Sequence, residues 1–301
     1  MSLLANLGVI TSEVTLSLYP ILIKNIPTNF NTQLLLRFLV FTLASLLFYS
    51  GQKIEIGKSL LYGLLTIFHV VVSYAAFSNL SAGTAMSLFY TYPIMNVIAG
   101  ILFLGEKLSL YSIPFLLVGF IGTVLISQGI PNEEVKGENL IKIPQSMAIW
   151  AGLLAAFSET LMFLVIRNTN TSNPIDSMLY LYPGALVIFV VYLLIKDKGS
   201  KVTKGTKGSK GTKGQTQQTI DTNPTNWGKM AIFNLVIGFA GYCLRFYSIN
   251  NVSTVVFSLL SFVGVISSYA FGKYFVNEEA SLKTYLGAFL IAFASSGIAF
   301  L

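Results

Sequence analysis

Ten apolar runs, each of roughly 20 residues, follow one another along this chain, far more than a soluble core uses. They lie near 2–23, 33–50, 59–79, 82–104, 109–128, 146–167, 177–195, 229–249, 252–275 and 282–301. A helix needs about 20 residues to cross ~30 Å of hydrocarbon, and it satisfies its backbone hydrogen bonds within itself. The short alternating strands of a membrane barrel are not seen. Apolar types make up 54% of the 301 residues and charged types 10%, and the mean hydropathy is +0.71. These values fit lipid solvation along most of the chain. The expected fold is an all-α integral membrane protein with ten transmembrane helices, in a membrane the sequence does not name.

The opening MSLLANLGVITSEV has neither a basic region nor a small-residue cleavage site, so it is expected to remain as the first span. Between the fifth and sixth runs, GIPNEEVKGENLIKIP is polar and bracketed by Pro131 and Pro144. It divides a first half (1–130) from a second (145–301), with 131–144 as the linker. The stretch at about 197–226 differs in kind. Lysines recur every third residue from Lys198 to Lys213 among Gly, Ser and Thr, a composition that buries no core and is expected to be disordered. Seven lysines over 196–213 against Asp197 read first as a solvated tether. The sharper alternative is contact with anionic lipid headgroups, at about 1 kcal/mol per charge. Nothing in the chain calls for nucleic acid as a partner.

Self-comparison reveals a repeat. FSNLSAGTAMSL at 77–88 aligns with YSINNVSTVVFS at 247–258, pairing Ser78 with Ser248 and Thr84 with Thr254 at a spacing of 170. EKLSLYS at 106–112 aligns with EEASLKT at 278–284 at a spacing of 172, pairing Glu106 with Glu278. Those two glutamates read as caps at the junction of the fourth and fifth spans. Ser12-Glu13 and Ser158-Glu159 each fall midway along the first helix of a half. Five spans per half is odd, so the second copy must insert upside down, giving two inverted five-helix repeats with a midplane site between them.

An ionisable group at bilayer depth costs some 2.5 kcal/mol or more and calls for a reason. Glu13, His69, Glu159 and Arg245 qualify. Glu13, with Ser17 one turn later, faces Glu159 from the opposite half, and the pair suits proton coupling or a substrate amine. The rival reading is a structural ion pair with Arg37 or Arg245. His69 either exchanges protons or serves as a neutral interhelix partner. Tyr242 and Arg245 share a helix face. Arg245 either pairs with Glu159 or a substrate carboxylate, or snorkels toward the helix end at Asn250, the reading preferred here. Tyr90 and Tyr92 flank a bend at Pro93, as an aromatic wall for a ligand or as plain packing. Gly119, Gly122 and Gly287 permit close helix contact, within the scaffold or at a homodimer face. One histidine and one cysteine, Cys243, leave no metal site and no disulfide to build, and no cofactor is expected.

IKNIPTNFNTQLLLRF, then FSNLSAGTAMSLFYTYPIMNVIAGILFLGEKLSLYS, then the second copy ending NEEASLKTYLGAFLIAF, resemble the drug/metabolite transporter superfamily in its ten-helix EamA-like form. The most specific residues are Arg37 opening the second span and the Pro93 helix followed by Gly105-Glu106-x-Leu108-Ser109. Two departures are Val263 aligned with Pro93, and an inserted loop. The resemblance implies alternating-access transport of a small organic solute, neutral or zwitterionic before a nucleotide sugar or organophosphate. It also implies cytosolic termini. Charge alone does not decide this, because Lys53, Lys58, Lys107 and Arg167 lie on the termini face against Lys24, Lys136, Lys142, Lys273 and Lys283 opposite. Counting the lysine-rich loop, on the face opposite the termini, would put the termini outside. A membrane enzyme and a non-transporting scaffold or receptor are the rival classes, and no Gly-x-Ser-x-Gly elbow, histidine box or phosphate loop favours the enzyme.

Overall fold

A computed structural model describes residues 3–26, 28–49, 51, 55–128, 142–169, 173–204, 223–277, 279 and 281–297, with backbone alone for 127, 197–204 and 276. Most of the 131–144 linker, residues 205–222 of the lysine-rich loop, and Glu278 lie outside the described residues. The described chain is helical. Eight helical segments are long and apolar enough to span a membrane: α1 (Leu3–Asn25), α2 (Phe30–Leu47), α3 (Ile56–Asn79), α4 (Ala82–Leu104), α6 (Gln145–Thr169), α7 (Pro174–Lys196), α8 (Pro224–Asn251) and α9 (Thr254–Phe275). Two shorter apolar helices, α5 (Ser112–Ile126) and α10 (Leu282–Ser296), bring the apolar helices to ten. The chain is a multi-pass integral membrane protein.

The surface shows why lipid is the solvent. Leu47 is 80% exposed, Phe103 71% and Trp150 66%, whereas Glu13, Glu159 and Arg245 are at most 2% exposed. Polarity is inverted relative to a soluble domain, as expected when hydrocarbon lies outside and ionisable side chains must find partners inside.

Helix packing is reciprocal between the halves. α1 packs on α8 as α6 packs on α3, and α3 packs on α7 as α8 packs on α2. α4 meets α6 as α9 meets α1, while α2 meets α7, α4 meets α9 and α5 meets α10. Exchanging the first five helices for the last five maps this set onto itself.

The caps fix the register of that exchange and correct the sequence alignment. Ser81 caps α4 by accepting from the Thr84 amide, and Ser253 caps α9 by accepting from Val256. Helix ends at Asn79 and Asn251, and left-handed stops at Gly105 (φ 65°) and Asn277 (φ 58°), repeat the same offset. Glycine and asparagine tolerate that conformation best, so they are the residues that stop a helix this way. Each of these pairs is 172 apart, so one spacing replaces the 170 and 172 read from residue identities, and the partner of Pro93 is Val265 rather than Val263. Identity of Ser78 with Ser248 misled because helix ends tolerate chance matches; cap geometry does not.

Contacts within each half follow the same pattern. Lys24 at the end of α1 donates to the Leu80 carbonyl, just ahead of the α4 cap. Arg167 at the end of α6 donates to the Val252 carbonyl, just ahead of the α9 cap. Glu106 does cap amides, but on α9, accepting from the Thr254 amide at 3.3 Å and its hydroxyl at 2.7 Å. Arg167 lies 3.9 Å from Glu106.

Several helix bounds shift from the hydropathy reading. α2 begins at Phe30 because Asn29 accepts from the Thr32 amide, α8 begins at Pro224 behind the Asn223 cap, and α5 begins at Ser112. The helix of α7 continues to Lys204, into the stretch expected to be disordered.

α5 and α10 meet through glycine. A Cβ at Gly122 would lie 2.7 Å from the Gly287 carbonyl, and one at Gly287 would meet the Gly122 carbonyl at 2.5 Å, so both sit inside the chain's own helix contact. Gly287→Val is expected to part these helices and cost about 1–3 kcal/mol, read as a lower melting temperature of the detergent-solubilised protein.

Candidate functional site

Breaks in the helices gather around one buried cluster. α1 is interrupted at Ser17–Leu18, where Pro20 opens its second segment, Tyr19–Asn25. α4 breaks at Tyr90–Thr91 ahead of Pro93, and α9 breaks between Ser261 and Val263. α8 carries a π-helical turn at Asn234–Phe239 just before Tyr242 and Arg245. Such turns re-aim the side chains that follow and recur at functional sites.

Arg245 stands at the centre, 1% exposed. Its Nη1 lies 3.1 Å from Glu13 Oε1 on α1, and its Nη2 lies 2.8 Å from Glu159 Oε1 on α6. The second contact is an ion pair without an aligned hydrogen bond. Snorkelling toward Asn250 does not occur, because two carboxylates hold the guanidinium at depth. Tyr90 donates to Glu13 Oε2 at 2.7 Å, Ser261 donates to Oε1 at 3.4 Å, and Tyr92 lies beneath Arg245 with its ring 4.8 Å away.

His69 extends the chain on the far side of Glu159. Its Nε2 lies 3.3 Å from Glu159 Oε2, and its Nδ1 lies 3.0 Å from the Ser158 hydroxyl. That hydroxyl also reaches the Ala155 carbonyl at 2.9 Å. The resulting line, Glu13–Arg245–Glu159–His69–Ser158, takes one group each from α1, α8 and α3 and two from α6. Counting back from the shared helix ends, Arg245 stands where the first half has Ser73. The two carboxylates come from the corresponding helices α1 and α6, and their partners differ.

Seven of the eight residues singled out from sequence converge here or on the neighbouring compartment. Ser17 does not, because its hydroxyl donates to the Val14 carbonyl at the α1 break. Tyr242 turns away from Arg245 to a second cation, Arg37, whose guanidinium carbon lies 5.2 Å from its ring.

Arg37 is the residue that hydropathy misplaced. Starting the second span at 33 made it interfacial; the Asn29 cap makes it an interior residue, 3% exposed. Its guanidinium carbon also lies 4.6 Å from the Tyr19 ring, 5.1 Å from Phe41 and 5.6 Å from Tyr74. It makes long contacts of 3.5 Å to the Tyr74 hydroxyl and 3.4 Å to the Tyr182 hydroxyl, and its Nε has no partner. Among the described residues no carboxylate lies within ion-pair distance of it. Each ring contributes ~0.5–2 kcal/mol by cation–π attraction, which only partly offsets a burial cost of several kcal/mol per ion.

Arg37, Arg245, His69 and Tyr90 line one cavity of about 20 Å³, together with Ser73, Tyr74 and Tyr242. That is room for about one water, so the helices are drawn together around the site. Close approach enforces this: Gly264 on α9 abuts the Tyr90 hydroxyl where a Cβ would overlap it.

Residues 3–128 match the EamA-like transporter family. A segment of 106 residues is 30% identical to an uncharacterized transporter, YxxF, of Bacillus subtilis (strain 168), covering 35% of this chain and 32% of that one. The chain thus aligns with about a third of that relative's length. A solved crystal structure is similar over 98% of both chains, with a TM-score of 0.67 and 13% identity, a likeness of fold.

Removing Arg245 alone would strand two buried carboxylates. Arg245→Met is expected to cost about 3–5 kcal/mol, and combining it with Glu13→Gln and Glu159→Gln should restore most of the lost melting temperature. Equal melting of Arg245→Met and wild type would show that the ion chain does not hold the helices together.

Proposed function

We propose that this protein is a secondary transporter that carries a small organic metabolite across a membrane by alternating access, driven by protons. The observation that carries this reading is the single arginine shared by two carboxylates, one from the first helix of each half. Reciprocal helix packing supports two inverted repeats moving against each other around that point, the arrangement in which a site serves both faces in turn. A cavity of about 20 Å³ is too small for a metabolite, so a solute enters only as helices separate. The partial family match favours transport over catalysis.

Proton coupling rests on the His69–Ser158 end of the line. Two proton arrangements satisfy its contacts. In one, Ser158 donates to His69 Nδ1 while Nε2–H lies 3.3 Å from Glu159 Oε2, close but without an aligned hydrogen bond. In the other, Ser158 rotates to donate to the Ala155 carbonyl and accepts from Nδ1–H, and a proton lies between Nε2 and Glu159 Oε2. The second arrangement holds one proton more. A hydroxyl rotation therefore lets the His69–Ser158 contact persist while the site gains or loses a proton.

Proteoliposomes loaded at neutral pH and jumped to an acidic exterior test this. Wild type should accelerate uptake of a transported solute when the outside is acidified. His69→Gln and Glu159→Gln should retain slow exchange at equal pH and lose the acceleration. Undiminished acceleration in both variants would exclude this line of residues as the proton path.

A further inference from the structure

We infer that Arg37 is the receptor for a carboxylate on the transported solute, so that the substrate class is a small organic acid with an apolar body. The inference deepens the transport reading and rests on it. Arg245 is matched by Glu13 and Glu159, but Arg37 has no carboxylate among the described residues, although it is 3% exposed and lines the same cavity.

The chemistry around Arg37 fits an anion. A guanidinium offers five N–H donors in a fork that matches a carboxylate. The described contacts use Nη1 and Nη2 once each, on the Tyr74 and Tyr182 hydroxyls, and leave Nε–H unused. Both hydroxyls accept from Arg37 and keep their own protons to donate, and Tyr74 lines the cavity beside the guanidinium. The rings of Tyr19, Phe41 and Tyr242 fix the guanidinium plane and supply no negative charge. Beside His69, Ser73, Tyr90 and Arg245, the cavity wall carries an apolar part from Leu16, Val70, Phe77, Met86 and Phe89 that suits a hydrocarbon or aromatic body.

The charges facing this space also link the carboxylate to the proton. Glu13, Arg245 and Glu159 together carry one carboxylate more than they carry guanidinium, a residual negative charge that opposes an anion at Arg37. A proton taken up between His69 and Glu159 removes it, so proton and carboxylate favour each other's binding.

Melting of the purified, detergent-solubilised protein tests the site directly, with acetate, butyrate, octanoate and phenylacetate as probes and phenylacetamide as the neutral match. At least one carboxylate should raise the melting temperature of wild type, and phenylacetamide should not. Arg37→Gln should fold, melt no lower than wild type without ligand, and bind that carboxylate roughly tenfold to a hundredfold more weakly, the loss expected for one charge-assisted pair. Tyr182→Phe, which keeps the cation, should weaken it less. If no carboxylate shifts wild type, if the amide binds as well as the acid, or if Arg37→Gln binds equally, the inference is wrong. Should Arg37→Gln fail to fold, Tyr182→Phe decides: unchanged carboxylate binding in it overturns the site. Uptake of labelled phenylacetate into proteoliposomes separates the two readings. Arg37-dependent binding without any uptake would keep the anion site and sink transport, whereas uptake indifferent to Arg37 would do the reverse.

Discussion

In hydrocarbon a charge without a counter-charge is more costly than almost any packing defect, and the structure is organised around meeting that requirement once, at Arg245. The guanidinium binds a carboxylate from each half, and helices α1, α6 and α8 must therefore approach one another within side-chain reach. Their approach draws in Tyr90, Tyr92 and Ser261, which stand at helix breaks. Breaks are tolerated at this depth because the freed backbone and side-chain groups face the protein interior rather than lipid. The same condition makes Arg37 conspicuous. It is the buried cation that aromatic rings accommodate without a neutralising partner.

The two halves share a frame but divide the chemistry. Caps at Ser81 and Ser253, stops at Gly105 and Asn277, and the carbonyl contacts of Lys24 and Arg167 repeat across the halves. These are features of backbone geometry, where each copy faces the same requirement of ending one helix and starting another. Side chains at the centre face no such common requirement. Glu13 is answered by Tyr90 and Glu159 by His69, so the two carboxylates, one from each half, have chemically different partners.

Much of the fold was legible in the sequence because lipid imposes a length and a polarity that any spanning helix must meet. The intramembrane carboxylates, His69 and Arg245 were legible for the same reason, each standing out against an apolar run. Arg37 was not, since a hydropathy window blurs a helix start by several residues and the Asn29 cap carries no hydropathy. Nor did the register of the repeat follow from matched serines. It came from the caps, which respond to backbone dihedrals that residue identity only partly encodes.

The sequence by itself determined that this chain spans a membrane with about ten helices, because apolar length is a local property. It also marked four ionisable residues at depth, Glu13, His69, Glu159 and Arg245. Only the tertiary structure decided their partners. Arg245 lies 232 residues from Glu13 in the chain, and its choice of two carboxylates over the helix end depends on how α1, α6 and α8 pack. That choice is a matter of distance in three dimensions, which periodicity and composition do not carry. It turns the carboxylate in VITSEVTLSL from an isolated charge into one end of an ion line shared by both halves.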